Sequence, residues 1–249
     1  MLALAACTTE AEAIAEMEAA LTATSATVDI ALVLSELTWY ATSPPSAPTS
    51  ALRHSGLGCP AISRFGPSDI EFETTLDYPP DGCIPTTGWI PDLLAGHAVA
   101  AVSDENSKVN WSFLEFQIGL RRAVESPGLA GSLATDGVTF EATLSGDLSV
   151  DGMDVALDAL HMTNDGERVT VDGSATVDDI PVTVINLLLE QDDVLGPCPV
   201  PREGRAEATP GAKPVTIDFD AGGPDLVDVT RGRRQATAEP FCDHASTVF

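Results

Sequence analysis

VTFEATLSGDLSVDGMDVALDALHMTNDGERVTVDGSATV, residues 138–177, is the stretch whose pattern decides the fold. Val138, Phe140, Ala142, Leu144, Gly146, Leu148 and Val150 alternate with polar or small residues, the period-2 pattern of a strand with one buried face. Asp151-Gly152 takes the positive backbone angles of a two-residue hairpin turn, and Met153, Val155, Leu157 and Ala159 resume the alternation. This hairpin sets Val150 against Met153, Ser149 against Asp154 and Leu148 against Val155. A second turn, Asn164-Asp165-Gly166, leads into Val169, Val171, Gly173, Ala175 and Val177. The segment therefore reads as a three-stranded antiparallel meander. Its apolar set changes parity between Ala159 and Leu160, because Leu160 and Met162 are expected to pair with Val171 and Val169. A β-bulge near Asp158 repairs the register, so the meander is expected to bend.

Outward from this segment the same grammar repeats. Residues 96–103 and 109–116 flank a polar turn at 104–107, with Val109, Trp111 and Phe113 alternating. Residues 129–135 meet Val138 across Asp136-Gly137, and residues 180–189 form a further apolar strand before the Pro-rich run 196–201. Ile70, Phe72, Thr74 and Leu76 alternate towards Cys83, and Val215, Ile217 and Phe219 do so after Cys198. Strands do not alternate with helices, so the class is mainly β: an antiparallel meander or sandwich-like sheet of about ten to twelve strands with a helical N-terminal segment. That segment is rich in Ala and Glu, with Ile14, Met17 and Leu21 at helical spacing. Beyond the tract 22–25, Ile30, Val33, Leu34 and Leu37 fit a second stripe. Two helical pieces are expected, neither long nor apolar enough alone to span a bilayer. Residues 43–57, rich in Pro and Ser, read as a linker into a domain at 58–249.

At 249 residues the chain can bury a sizeable core. Asp and Glu outnumber Lys and Arg 38 to 12, so nucleic acid and anionic lipid are poor partners for its surface. There are five cysteines, Cys7, Cys59, Cys83, Cys198 and Cys242, and an odd count leaves one with a separate role. Leu4-Ala5-Ala6-Cys7 resembles the bacterial lipobox, in which the cysteine becomes the lipidated first residue of the mature protein. By that resemblance residues 1–6 are a signal-peptide remnant, 7–42 a lipid-anchored helical segment, and the membrane a partner through the lipid on Cys7. Only six residues precede Cys7, short of a full signal peptide. Thr8 stands where an Asp would favour inner-membrane retention, so the outer membrane is the expected location, on its periplasmic or surface face. Cys59-Pro60 and Cys198-Pro199 each open a block that holds one alternating strand and closes on a later cysteine. This echo favours Cys59 with Cys83 and Cys198 with Cys242, one of three connectivities. The first would close a loop of about 25 residues, worth about 3 kcal/mol in the chain-entropy model.

The chemistry-bearing patterns are weak. Asp147, Ser149, Asp151 and Asp158 match the spacing of a calcium loop, but Asp154 stands where an aliphatic residue belongs, and hairpin pairing explains the same residues. The histidines, His54, His97, His161 and His244, fall in no HExxH motif, and no G-x-S-x-G elbow occurs. His161 is expected as an exposed strand residue opposite Thr170. Asp243, His244 and Ser246 are too close in sequence to face one another as a triad. Arg231-Gly232-Arg233-Arg234 reads as a hairpin tip pairing with nearby acids. No close Cys/His spacing suggests zinc.

With Cys59-Pro60, the strand ending TTLDYPPDGC, the WSF strand and VTVDGSATV in hand, the chain resembles uncharacterised bacterial predicted lipoproteins. The matching residues are Cys59, Asp77, Gly82, Cys83 and 169–177, with Pro79-Pro80 where a glycine is usual. That resemblance implies a helical N-terminal segment and a cysteine-stapled β domain, and it carries no activity to transfer. The resulting expectation is an envelope lipoprotein with a non-catalytic binding or structural role, no cofactor, and an envelope protein or glycan as partner. The alternative is a calcium-dependent carbohydrate-binding module or hydrolase.

Overall fold

The computed structural model describes residues 10–42, 59–68, 71–85, 93–103, 107–119, 122–136, 139–192, 196–220 and 226–238. One helix, α1 (Glu10–Thr42), precedes β1 (Ala61–Phe65), β2 (Phe72–Cys83), β3 (Leu94–Ser103), β4 (Lys108–Ile118), β5 (Arg122–Thr135), β6 (Phe140–Val150) and β7 (Met153–Asn164). There follow β8 (Arg168–Val177), β9 (Ile180–Asp192), β10 (Gly196–Ala208), β11 (Val215–Asp218), β12 (Val227–Arg231) and β13 (Arg234–Ala238). Each strand pairs antiparallel with the next, giving one 13-stranded sheet in sequence order. The class is mainly β, as the alternation implies. The Pro-rich run 196–201 belongs to β10 instead of ending the preceding strand in a loop.

The helix is one continuous element of 33 residues, not two pieces. Ser and Thr disfavour helix interiors because their hydroxyls compete for backbone groups, but here those of Thr22, Thr27 and Thr42 fold back onto the preceding turn. The Thr22 hydroxyl donates to the Glu18 carbonyl at 3.0 Å and that of Thr27 to Ala23 at 2.9 Å. As one piece α1 is long and apolar enough to cross a membrane by length and composition, yet 72% of its most apolar window is buried inside the protein. It touches β2, β3 and every strand from β6 to β12. Ala20, Ala23, Ala26, Ala31 and Ala41 on its surface admit close approach of the sheet, while Val28, Leu34 and Leu37 fill the space between. Its C-terminal end is tied to the first hairpin, because the Ala41 carbonyl accepts from Arg64 Nη2 at 2.8 Å and from the Thr74 hydroxyl at 3.3 Å. In its N-terminal half Glu16 pairs with Arg231, the residue entering the β12–β13 tip, and Arg234 donates to the Glu10 carbonyl. The basic run is thus a hairpin tip paired with an acid, as its sequence implied.

The sheet bends by a repeated device. In β4, β5, β7 and β9 the buried set changes parity: Trp111 gives way to Phe116, Val124 to Leu129, Leu157 to Leu160 and Val184 to Leu187. At each change the strand carries one more residue than a neighbour. Glu115, Ala159 and Asn186, at three of these bulges, have positive φ. The β7 bulge lies at Asp158–Ala159, where the sequence placed it, and the Ser145 hydroxyl accepts from the Ala159 amide at 2.9 Å. Against the bulges stand glycines. A Cβ on Gly173 would lie 2.6 Å from the Ala159 carbonyl oxygen, and one on Gly96 would lie 2.1 Å from that of Glu115. The Asp151-Gly152 turn has positive φ at both residues and pairs Val150 with Met153, Ser149 with Asp154 and Leu148 with Val155, as expected.

The β7–β8 connection departs by two residues. Met162 pairs with Val171, Asn164 with Val169 and His161 with Asp172, so the expected pairs Leu160–Val171, Met162–Val169 and His161–Thr170 do not form. The turn is longer than the Asp165-Gly166 pair because Asp165 Oδ1 accepts from the amides of Glu167 and Arg168. A shift of two preserves the face of every side chain.

Cys59 and Cys83 are joined, clamping the two ends of the β1–β2 hairpin. Cys7, Cys242, the 43–57 linker and the Cys198 side chain lie outside the described residues.

Gly173→Ala is expected to cost about 1–3 kcal/mol, because it adds backbone collision to a disfavoured φ. Gly152→Ala, with open space around its Cβ position, should cost less. Urea melts of both variants check this ordering.

Candidate functional site

β4 and β5 are adjacent and both are bulged, so neither offers a glycine strand to receive the other's extra residue. Their ladder runs from Lys108↔Ser132 to Trp111↔Leu129 and resumes only at Gln117↔Ala123. The register is the same on both sides, yet residues 112–116 and 124–128 make no ladder pairs with each other. Pro127 within the second window has no amide hydrogen to give. A Cβ on Gly128 would meet nothing within 4 Å, so this part of the sheet is open.

At that opening lies a cleft of about 1470 Å³. Its apolar lining includes Phe113, Phe116, Val124, Leu148 and Val155, and Leu114 on its border is 64% exposed. Phe113 and Phe116 have ring centroids 5.3 Å apart, and Tyr78 meets Phe116 edge-on at 5.7 Å. Around this floor stand Glu115, Glu125, Asp147, Asp154 and Asp179, all exposed. No Lys or Arg lines the cleft among the described side chains. Five of the chain's 38 acidic residues thus rim an apolar concavity.

His97 also borders the cleft, and its Nδ1 lies 2.6 Å from Asp77 Oδ1 on the neighbouring strand. This is two-thirds of a nucleophilic triad: a carboxylate holding a histidine through Nδ1. No hydroxyl or thiol reaches the other ring nitrogen among the described residues, although Ser126 and Ser149 line the same cleft. The Ser126 hydroxyl donates to the Asp147 carbonyl at 2.9 Å. Sequence reasoning passed over His97 because its partner lies twenty residues away, across a strand pair. His161 is half-exposed and lies 3.0 Å from Glu141, while His54 and His244, with Asp243 and Ser246, lie outside the described residues.

The four calcium candidates are strung along the β6–β7 hairpin. Asp147 and Ser149 reach the cleft, Asp151 sits in the turn, and Asp158 pairs with Ser174 on β8. No group of three or more acidic, His or Cys side chains suited to a metal occurs among the described residues.

In the cleft wall Tyr78 is buried, and its hydroxyl has no hydrogen-bond partner among the described residues. Burial first, then the nearby Glu36 carboxylate and Tyr40, raises its pKa well above the ordinary value of 10.

No family model matches the chain, and neither does any curated protein or any solved structure.

Tyr78→Phe removes an unpartnered buried hydroxyl, so its stability at pH 7 should equal or exceed the parent's by about 1 kcal/mol. Above pH 10 the unfolded tyrosine ionises while the folded one holds its proton. Stability therefore falls with rising pH there, and this part of the fall should vanish in the variant. Thermal melts at pH 8 and pH 10.5 check both.

Proposed function

We propose that this chain is a lipid-anchored protein of the bacterial envelope, probing its surroundings through a non-catalytic binding site at the β4–β5 cleft. The observation that carries the binding role is the opening itself: an apolar, aromatic-floored concavity with an acidic rim, held by a continuous sheet around a buried helix. The Cys59–Cys83 bridge is in keeping with an oxidising compartment. Leu4-Ala5-Ala6-Cys7 supports attachment through lipid on Cys7, with the outer membrane as the site. The partner is an envelope protein or glycan presenting cationic or apolar groups.

The hydrolase alternative draws on the Asp77–His97 pair. A single set of measurements separates the two. Nile red, a neutral polarity-sensitive dye, should bind saturably and lose affinity when Ala156→Trp narrows the cleft. Turnover of p-nitrophenyl butyrate that disappears in His97→Gln would overturn the non-catalytic role. For the anchor, mass spectrometry of protein from membranes should find acylated Cys7 at the N-terminus, and Cys7→Ser should move the protein to the soluble fraction. An unmodified Met1 on membrane-extracted protein would refute it.

A further inference from the structure

The break between β4 and β5 leaves residues 112–116 and 124–128 outside the ladder that joins the two strands. Along an antiparallel strand, successive residues direct their N–H and C=O groups to alternate sides. About half of the residues in 112–116 and 124–128 therefore present both groups to the opening, where the partner strand does not take them up. These strand edges lie inside the sheet, flanked by ladder pairs at Trp111↔Leu129 and Gln117↔Ala123. The cleft beside them, about 1470 Å³, exceeds the roughly 300–1,000 Å³ of ordinary small-molecule pockets. Its lining mixes outward-facing residues such as Leu114 and Ala156 with inward-facing ones such as Phe116 and Leu148.

Resting on the binding role above, we propose that the occupant of this cleft is an extended basic segment of a partner protein, added as a short strand along the open edge of β4 or β5. Strand addition uses main-chain pairing for affinity and the period-2 alternation of side chains for selectivity. Both requirements are met at one place. The open edge supplies main-chain groups that stand outside the β4–β5 ladder. Lys or Arg at alternate positions of the segment would meet Glu115, Glu125, Asp147 and Asp154, while intervening apolar residues would cover Leu114 and Phe113. An organic cation without a peptide backbone would satisfy the acids and leave the strand edge unused. The acidic rim disfavours an acidic segment, since among the described side chains that line the cleft no Lys or Arg occurs and His97 alone can carry positive charge.

The test uses the full chain and a labelled octapeptide of alternating Lys and Val, followed by fluorescence polarisation. Saturable binding that weakens as salt rises is expected. An alternating Glu and Val peptide should not bind. N-methylation of alternate amides, which removes donors while keeping charge, should weaken binding about tenfold or more. The double variant Glu125→Lys with Asp147→Lys, both on exposed positions, should lose at least tenfold in affinity with an unchanged circular dichroism spectrum. Equal binding of the N-methylated peptide overturns strand addition, and equal binding of the acidic peptide or of the double variant overturns the charge assignment. Nile red binding with no Lys/Val peptide binding overturns the peptide occupant and leaves the binding role standing. Failure of both probes removes the binding role itself.

Discussion

The structure depends on the enclosure of a helix that, from Ala23 onward, has no polar face to give to solvent. From Ala23 to Ala41 most side chains of α1 are buried, around the whole circumference and not along one stripe. Such a helix needs apolar cover on every side, and one flat sheet cannot provide it. The sheet must curl, and β2, β3 and the strands from β6 to β12 reach the helix only because it does. The hydroxyls in the middle of the helix are tolerated where they turn back on their own backbone, and Asn164 Nδ2 donates to the Ser35 hydroxyl at 3.1 Å to carry one polar contact into the core. Where the helix enters and leaves the sheet, Arg231 and Arg64 hold it by charge and by capping of carbonyls.

Curvature comes from pairing a bulged strand with a glycine strand. β6 with Gly146 lies between the bulges of β5 and β7, and β8 with Gly173 lies between those of β7 and β9. The extra residue of one strand pushes its backbone into its neighbour, and only glycine leaves room for that approach. At β4–β5 two bulged strands meet, the ladder opens, and the cleft appears. Shape and binding surface thus have one cause. Five acidic side chains around this opening give it a sign.

Much of this was legible in the chain. Strand alternation, the Asp151-Gly152 turn and the parity break near Asp158 follow from local pattern, because side-chain direction along a strand has a period of two wherever it lies. The same parity break is present between Phe113 and Phe116 in WSFLEF, and Pro127 marks the next strand. The missed features are those that join distant residues. Asp77 reaches His97 only through strand pairing, and the β7–β8 register shifted by two because a side-chain-capped turn competed with the shorter one.

By itself the sequence determined the mainly β class, the antiparallel order and the bend in β7, since each is encoded within neighbouring residues, and it favoured the Cys59–Cys83 staple among three connectivities. Tertiary structure alone decided that the N-terminal helix is one element at the centre of the protein. Its apolar residues would suit a membrane or a core equally, and only the sheet closing over them distinguishes the two. It also decided where a cleft could exist. A bulge is a local event, but an opening needs two of them side by side, and that adjacency is set by how the strands pair.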